Sequence, residues 1–162
     1  MLNENRIALS NVRVEHAKED LETATENLQA GRYKAANNRA YYAIFTAIRA
    51  VLALDAVDFK KHGSVISYFS KHYINTGFID KGLEAVVRAA SKSRKKSDYE
   101  DYYRATKEEV EGNIDGARKL LTAISRLIEV RLEAETALDN SELHDSHNDY
   151  ETFEESEKGL GQ

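Results

Sequence analysis

The sequence predicts an all-α protein: an antiparallel up-and-down bundle of four main helices plus a short one. Three observations carry that expectation. The 162-residue chain has no proline and only 8 glycines. An all-β chain of this length needs a turn signal every ~8–12 residues and rarely lacks proline. Apolar residues recur at helical spacing in successive stretches, and the breaks between them are short, which favours antiparallel neighbours. A chain of this size also buries roughly two-thirds of its unfolded surface, enough for one core.

The first helix is expected over residues 5–30. Ile7, Val14, Leu21 and Leu28 recur every seven residues, with Ala17 and Ala24 between them, and Gly31 is a suitable stop. The second is expected over 32–54 and carries two stripes. Ala36, Ala40, Ala43, Ile44, Ala47, Ile48 and Val51 form a small apolar face, while Asn38, Tyr42, Phe45 and Arg49 lie opposite. The aromatic stripe suits a core, a subunit contact or a ligand surface.

A shorter helix is expected over 62–74 on Val65, Ile66, Phe69 and Tyr73, ended by Asn75-Thr76-Gly77. A fourth stretch, 80–90, rests on Leu83, Val86, Val87 and Ala90. Ser91 to Ser97 has no apolar pattern and leaves the end of that helix open. The last helix starts at a capping box, Thr106-Lys107-Glu108-Glu109, in which the threonine oxygen caps the third amide and Glu109 reaches back to the cap. Val110, Ile114, Ala117, Leu121, Ile124 and Ile128 then keep helical spacing.

Composition narrows the chemistry. Without cysteine there are no disulfides, zinc–thiolate sites or thiol nucleophiles, which fits a cytoplasmic protein. No apolar run approaches the ~18 residues that cross a bilayer, so no membrane partner is expected. The first twenty residues carry acids early and lack an apolar stretch, unlike a secretory signal. The formal charge of −5 is uneven. Residues 139–162 hold eight acids and one base, Lys158, a net of −7, which leaves +2 on residues 1–138. The expected organisation is a helical body over 1–138 and an acidic, disordered tail over 139–162. That tail could shield a basic surface through a charge effect that salt weakens.

The five histidines show no H-E-x-x-H spacing, and no metal or cofactor is expected. There is no phosphate-binding glycine loop and no nucleophile elbow. The informative stretch is Arg88 to Lys107, RAASKSRKKSDYEDYYRATK. Arg88, Lys92, Arg94, Lys95 and Lys96 lie in an acid-free run and are followed by Tyr99, Tyr102 and Tyr103. Cations beside aromatic rings neutralise phosphates and stack on bases. The same stretch also suits a solvated charged loop whose tyrosines anchor the next helix. Asp98 could orient Arg94 through a charge-assisted hydrogen bond.

Three segments in order resemble the HEPN-domain family. Asn38-Arg39-Ala40-Tyr41-Tyr42-Ala43-Ile44-Phe45 looks like its second-helix signature. Lys61-His62-Gly63 is similar to its next segment, and Arg94-Lys95-Lys96-Ser97-Asp98-Tyr99 resembles its later Arg-x-x-x-Asp-Tyr motif. The likeness spans about residues 10–130 and is nearest to the small stand-alone prokaryotic HEPN proteins. It implies a homodimeric helical bundle directed at nucleotides or RNA, paired with a minimal nucleotidyltransferase in a toxin–antitoxin or defence-type system. Arg39, Tyr42, Arg94, Lys95, Lys96, Asp98 and Tyr99 are the binding candidates.

Active relatives are metal-independent endoribonucleases that use Arg-x(4–6)-His. Here the positions after Arg94 that should hold histidine are Tyr99, Glu100 and Asp101, and no arginine in the chain completes the motif. Arg94 is thus the catalytic candidate without its usual partner, and His62 could serve only by approaching from another helix. The alternative function is an endoribonuclease toxin built on Arg94 in this way. The resemblance also makes Tyr99, Tyr102 and Tyr103 candidate acceptors for modification by the transferase. A purely structural role for Arg39, pairing with an acid such as Asp98 or Asp101, is the competing expectation at that position.

Overall fold

The computed structural model describes residues 2–158, with side chains as far as Leu143. It contains helices α1 (Glu4–Gln29), α2 (Tyr33–Leu54), α3 (His62–Phe69), α4 (Glu84–Tyr99) and α5 (Lys107–Lys158), and no strand among the described residues. α3 widens into a π turn over Ser70–Ile74, and a 3₁₀ turn over Lys81–Leu83 leads into α4. No helix among the described residues is long and apolar enough to cross a membrane.

Asn3 caps α1, its side chain accepting from the Asn5 amide at 2.7 Å. The helix closes at Gly31, whose φ of 73° is a conformation open to glycine without a Cβ penalty. The chain then returns as α2. The buried face of α1 is Ser10, Val14, Ala17 and Ala24, while Leu21 and Leu28 lie half-buried at its border. Alanines at the seam let α1 and α2 approach closely. Two polar contacts fix their register: Ser10 Oγ donates to the Ala50 carbonyl at 2.8 Å, and Arg13 Nη1 donates to the Arg49 carbonyl at 2.9 Å.

α2 is the central element, with fourteen buried residues that include the whole small-residue stripe. At one end, Ala24, Ala36, Ala40, Val110 and Ile114 form a core cluster that joins α1, α2 and α5. Gly116 of α5 faces α4 so closely that a Cβ there would lie 2.9 Å from Cγ1 of Val86.

α4 corrects the sequence reading at one point. The polar run Ser91–Ser97 is neither a loop nor a break, because α4 continues through it to Tyr99. Lysine and arginine are good helix formers. The apolar period fails because Ser93 takes the inward position. It is 5 % exposed and is satisfied by Asn113 and Glu109 rather than by apolar contacts.

Residues 2–128 form one compact unit, and the part of α5 from Glu129 onwards belongs to a second. Within that second unit the helix is regular, with Thr136 Oγ1 donating to the Leu132 carbonyl. Of the acidic stretch 139–162, the backbone is described to Lys158, while the side chains beyond Leu143 and all of residues 159–162 lie outside the described residues.

Candidate functional site: an arginine held on aromatic rings

Arg94 sits on α4 and reaches across to α2 and the head of α3. Its guanidinium carbon lies over the Tyr41 ring at 4.7 Å and the Tyr42 ring at 5.2 Å. Nη2 donates to the Tyr42 hydroxyl at 3.2 Å, and Nη1 lies 3.3 Å from Nδ1 of His62. Nε is 3.5 Å from Asp98 Oδ2, close enough for attraction but without hydrogen-bond alignment. The side chain is 27 % exposed, so the charge is ordered but still reachable.

His62 opens α3 and stacks on Phe45, centroid to centroid at 4.1 Å. Its Nδ1 is also 3.1 Å from the Tyr41 hydroxyl. An arginine only donates, so Nδ1 acts as acceptor and the ring proton resides on Nε2. Burial first, then the charges of Arg94 and Arg49, lower the His62 pKa below its ordinary 6.5. The imidazole is therefore neutral at physiological pH. Tyr41 is pushed upward by burial, against the pull of Arg94, and keeps its proton.

Arg39 also approaches Tyr42, its guanidinium 5.0 Å from the ring centroid. Arg39 does pair with an acid, but the acid is Asp20 of α1, 3.0 Å from Nη1, rather than Asp98 or Asp101, and Nη2 donates to Asn38. Tyr42 thus has two guanidiniums within 5.2 Å of its ring centroid. Arg39, Arg94 and Asp98, together with Arg32, Tyr33 and Lys34, line a cleft of about 600 Å³.

The remaining candidates separate from this centre. Lys95, Lys96 and Tyr99 line a different groove with Arg88 and Lys92. Tyr99 and Tyr102 are 84 % and 99 % exposed. Tyr103 turns inward, donates a hydrogen bond from its hydroxyl to Glu109, and lies under Lys96 at 5.6 Å. The capping box holds, with the Glu109 amide donating to Thr106 Oγ1 at 3.2 Å. The Glu109 carboxylate does more than cap. It also accepts from Ser93 Oγ, while Asn113 donates to Ser93 Oγ and to Asn37. This buried network ties α4 to α5 and α2 and so sets the height of Arg94 on its helix. Among the described residues no group of three or more His, Asp or Glu could hold a metal ion.

Sequence reasoning placed Tyr41 inside a motif but gave it no role, and it missed Asp20 and Asp58. The adjacent Tyr41-Tyr42 pair was the available signal, because successive residues 100° apart on a helix can grip one guanidinium from two directions.

The HEPN domain model matches residues 10–128 of the chain. The chain belongs to the HEPN family. A Thermotoga maritima protein named "UPF0332 protein" is 34% identical over 113 residues, covering 70% of this chain and 86% of that protein. A Methanocaldococcus jannaschii protein named "Putative toxin MJ0605" is 32% identical over 115 residues, covering 67% of this chain and 85% of its own length. The crystal structure of TT1696 from Thermus thermophilus superposes with a TM-score of 0.63 at 20% identity, over 73% of this chain and 97% of that one. That likeness supports the all-α HEPN fold.

Proposed function

We propose that this HEPN protein is toxin-like and binds RNA or nucleotide phosphate at Arg94. The observation that carries the reading is the preorganised guanidinium. Arg94 is held by two tyrosine rings and His62, and it shares with Arg39 a cleft large enough for a nucleotide. A guanidinium fixed in advance loses little entropy when it meets a phosphate, and its planar fork matches two phosphate oxygens. The relatives named as toxins support the biological setting. In that setting the protein works as a cytoplasmic homodimer with a minimal nucleotidyltransferase as partner. Tyr99 and Tyr102 expose their rings to such an enzyme, whereas the Tyr103 hydroxyl is already engaged.

One contact favours a second reading, a metal-independent endoribonuclease. The linear Arg-x(4–6)-His motif is absent, yet an Arg–His pair exists in space between Arg94 and His62 at 3.3 Å. A neutral imidazole can take the proton of a ribose 2′-hydroxyl, and a guanidinium can hold the phosphate as charge grows on it. Nδ1 is occupied by Arg94 in this arrangement. For Nδ1 to act as base, Arg94 must release it while turning to the phosphate, and the Tyr41 hydroxyl must turn away as well.

Incubating the purified protein with single-stranded RNA tests both readings. Retention of RNA that is lost in Arg94→Ala supports binding. Chelator-resistant cleavage that is lost in both Arg94→Ala and His62→Ala supports the nuclease. Neither binding nor cleavage would contradict both.

A further inference from the structure

His62 has a second side. Beyond it lies another cleft, of about 490 Å³, lined by Phe45, Arg49, Asp58, Phe59, Lys60 and His62. Its charge is unbalanced. Arg49 Nη2 reaches both oxygens of Asp58 at 3.0 and 3.2 Å, and Arg13 Nη2 lies 3.6 Å from the same carboxylate. One acid therefore faces two guanidiniums, and Arg49 lowers the pKa of Arg13 by repulsion on top of its burial. Arg49 Nε has no hydrogen-bond partner among the described residues, and Lys60 has no carboxylate within ion-pair distance among them. Among the lining residues Arg49 and Lys60 stand against Asp58, a net of +1 while His62 stays neutral, and Arg13 adds a further positive charge behind Asp58.

The cleft also presents a ring. Phe59 is 38 % exposed and is backed by Tyr68 at 5.7 Å. Asp58 Oδ1 accepts from the Phe59 amide at 3.0 Å, so the carboxylate that holds Arg49 also fixes the backbone that carries the ring. A cationic floor beside a supported, exposed aromatic ring is what a nucleotide unit needs, with phosphate on the cations and base on the ring.

We propose that the Arg49–Lys60–Phe59 cleft is a second nucleotide subsite, and that single-stranded RNA passes over the Arg94–His62 contact with one phosphate on each side. The proposal rests on the phosphate-binding reading of Arg94. Because Arg94 lines the first cleft, His62 lines the second, and the two side chains touch, both subsites border the same pair of reactive groups.

Fluorescence anisotropy with a labelled ten-nucleotide 2′-O-methyl RNA, which cannot be cut at its 2′ oxygens, tests this. Phe59→Ala is expected to weaken binding about tenfold, the loss of one stacked base. Lys60→Ala is expected to reduce the slope of log affinity against log salt by about 0.7, the loss of one phosphate contact on a single strand. Lys119→Ala, an exposed cation of α5 paired with Asp115, should leave the slope unchanged. If Arg94→Ala weakens binding while Phe59→Ala and Lys60→Ala match the parent protein, the second subsite is wrong and the first stands. Equal slope losses in Lys60→Ala and Lys119→Ala would also overturn it, since any surface cation would then serve. If the parent protein binds no RNA, both readings fall together.

Discussion

Arg94 and His62 are 32 residues apart in the chain, yet their side chains meet at 3.3 Å, Nη1 against Nδ1. Three elements make this meeting. α4 supplies the arginine, α3 opens with the histidine, and α2 supplies Tyr41, Tyr42 and Phe45, which fix both. Burial first, with Arg94 and Arg49 adding to it, favours the neutral imidazole, and the Arg94 donor makes Nδ1 the acceptor.

That contact predicts the titration of His62. Burial and the nearby arginines lower its pKa below 6.5, so the unfolded chain takes up this proton first as pH falls. The contribution of His62 to stability is therefore neutral above the ordinary value. It becomes unfavourable as pH drops below it. NMR titration should find the His62 ring titrating below 6.5 in the parent protein and moving upward in Arg94→Ala. In denaturant unfolding, His62→Gln should remove part of the loss of stability on acidification. An unchanged His62 titration in Arg94→Ala would show that the arginine exerts no field on the ring.

Tyr103 provides a second electrostatic check. Burial first, then its bond to Glu109 and the charge of that carboxylate, push the tyrosine up to about 12. Burial also raises Glu109, but bonds from Ser93, Tyr103 and the Thr106 amide, with Lys96 nearby, outweigh it and leave a net lowering. Glu109 thus adds stability above its unfolded pKa, and that stability is lost as pH falls through the lower folded value. NMR of labelled tyrosine rings should find Tyr103 ionising well above the ordinary 10, and Glu109→Gln should bring it down. A Tyr103 that titrates normally would mean that its hydroxyl is not held by the Glu109 carboxylate.

The alanine seam predicts a packing cost. Ala40 is fully buried in the cluster with Ala24, Ala36, Val110 and Ile114. Ala40→Leu should overpack it and destabilise by ~1–3 kcal/mol. For a domain of this size that corresponds to a fall in Tm of roughly 2–4 °C per kcal/mol, read by circular dichroism. An unchanged Tm would mean that the seam is loose.

Much of the fold was legible because its signals are local. The seven-residue repeat of α1, the alanine face of α2 and the cap at Thr106 each reflect contacts within or along one helix. The extension of α4 through Ser91–Ser97 was not legible. Its inward residue is a serine satisfied by Glu109 and Asn113, 16 and 20 residues away, and no apolar period reports such a contact. Arg94 and Tyr42 stood out as residue types in a pattern. That Arg39 pairs with Asp20 follows only from how α1 lies against α2. The same holds for His62, whose approach to Arg94 depends on the loop that turns α3 back over Phe45. The linear motif lacks its histidine, while the fold brings His62 to within 3.3 Å of Arg94.

The central claim is that Arg94 is the phosphate-holding group. Its most direct test is the affinity of the full-length protein for single-stranded RNA, measured beside Arg94→Ala and Arg94→Lys at one fixed salt concentration. Loss of a charged hydrogen-bonding group should cost about 1.5–3 kcal/mol, or roughly 10- to 150-fold in Kd, for Arg94→Ala. Lysine should restore only part of it, since it keeps the charge but loses the fork. Binding by Arg94→Ala as tight as that of the parent protein would contradict the account.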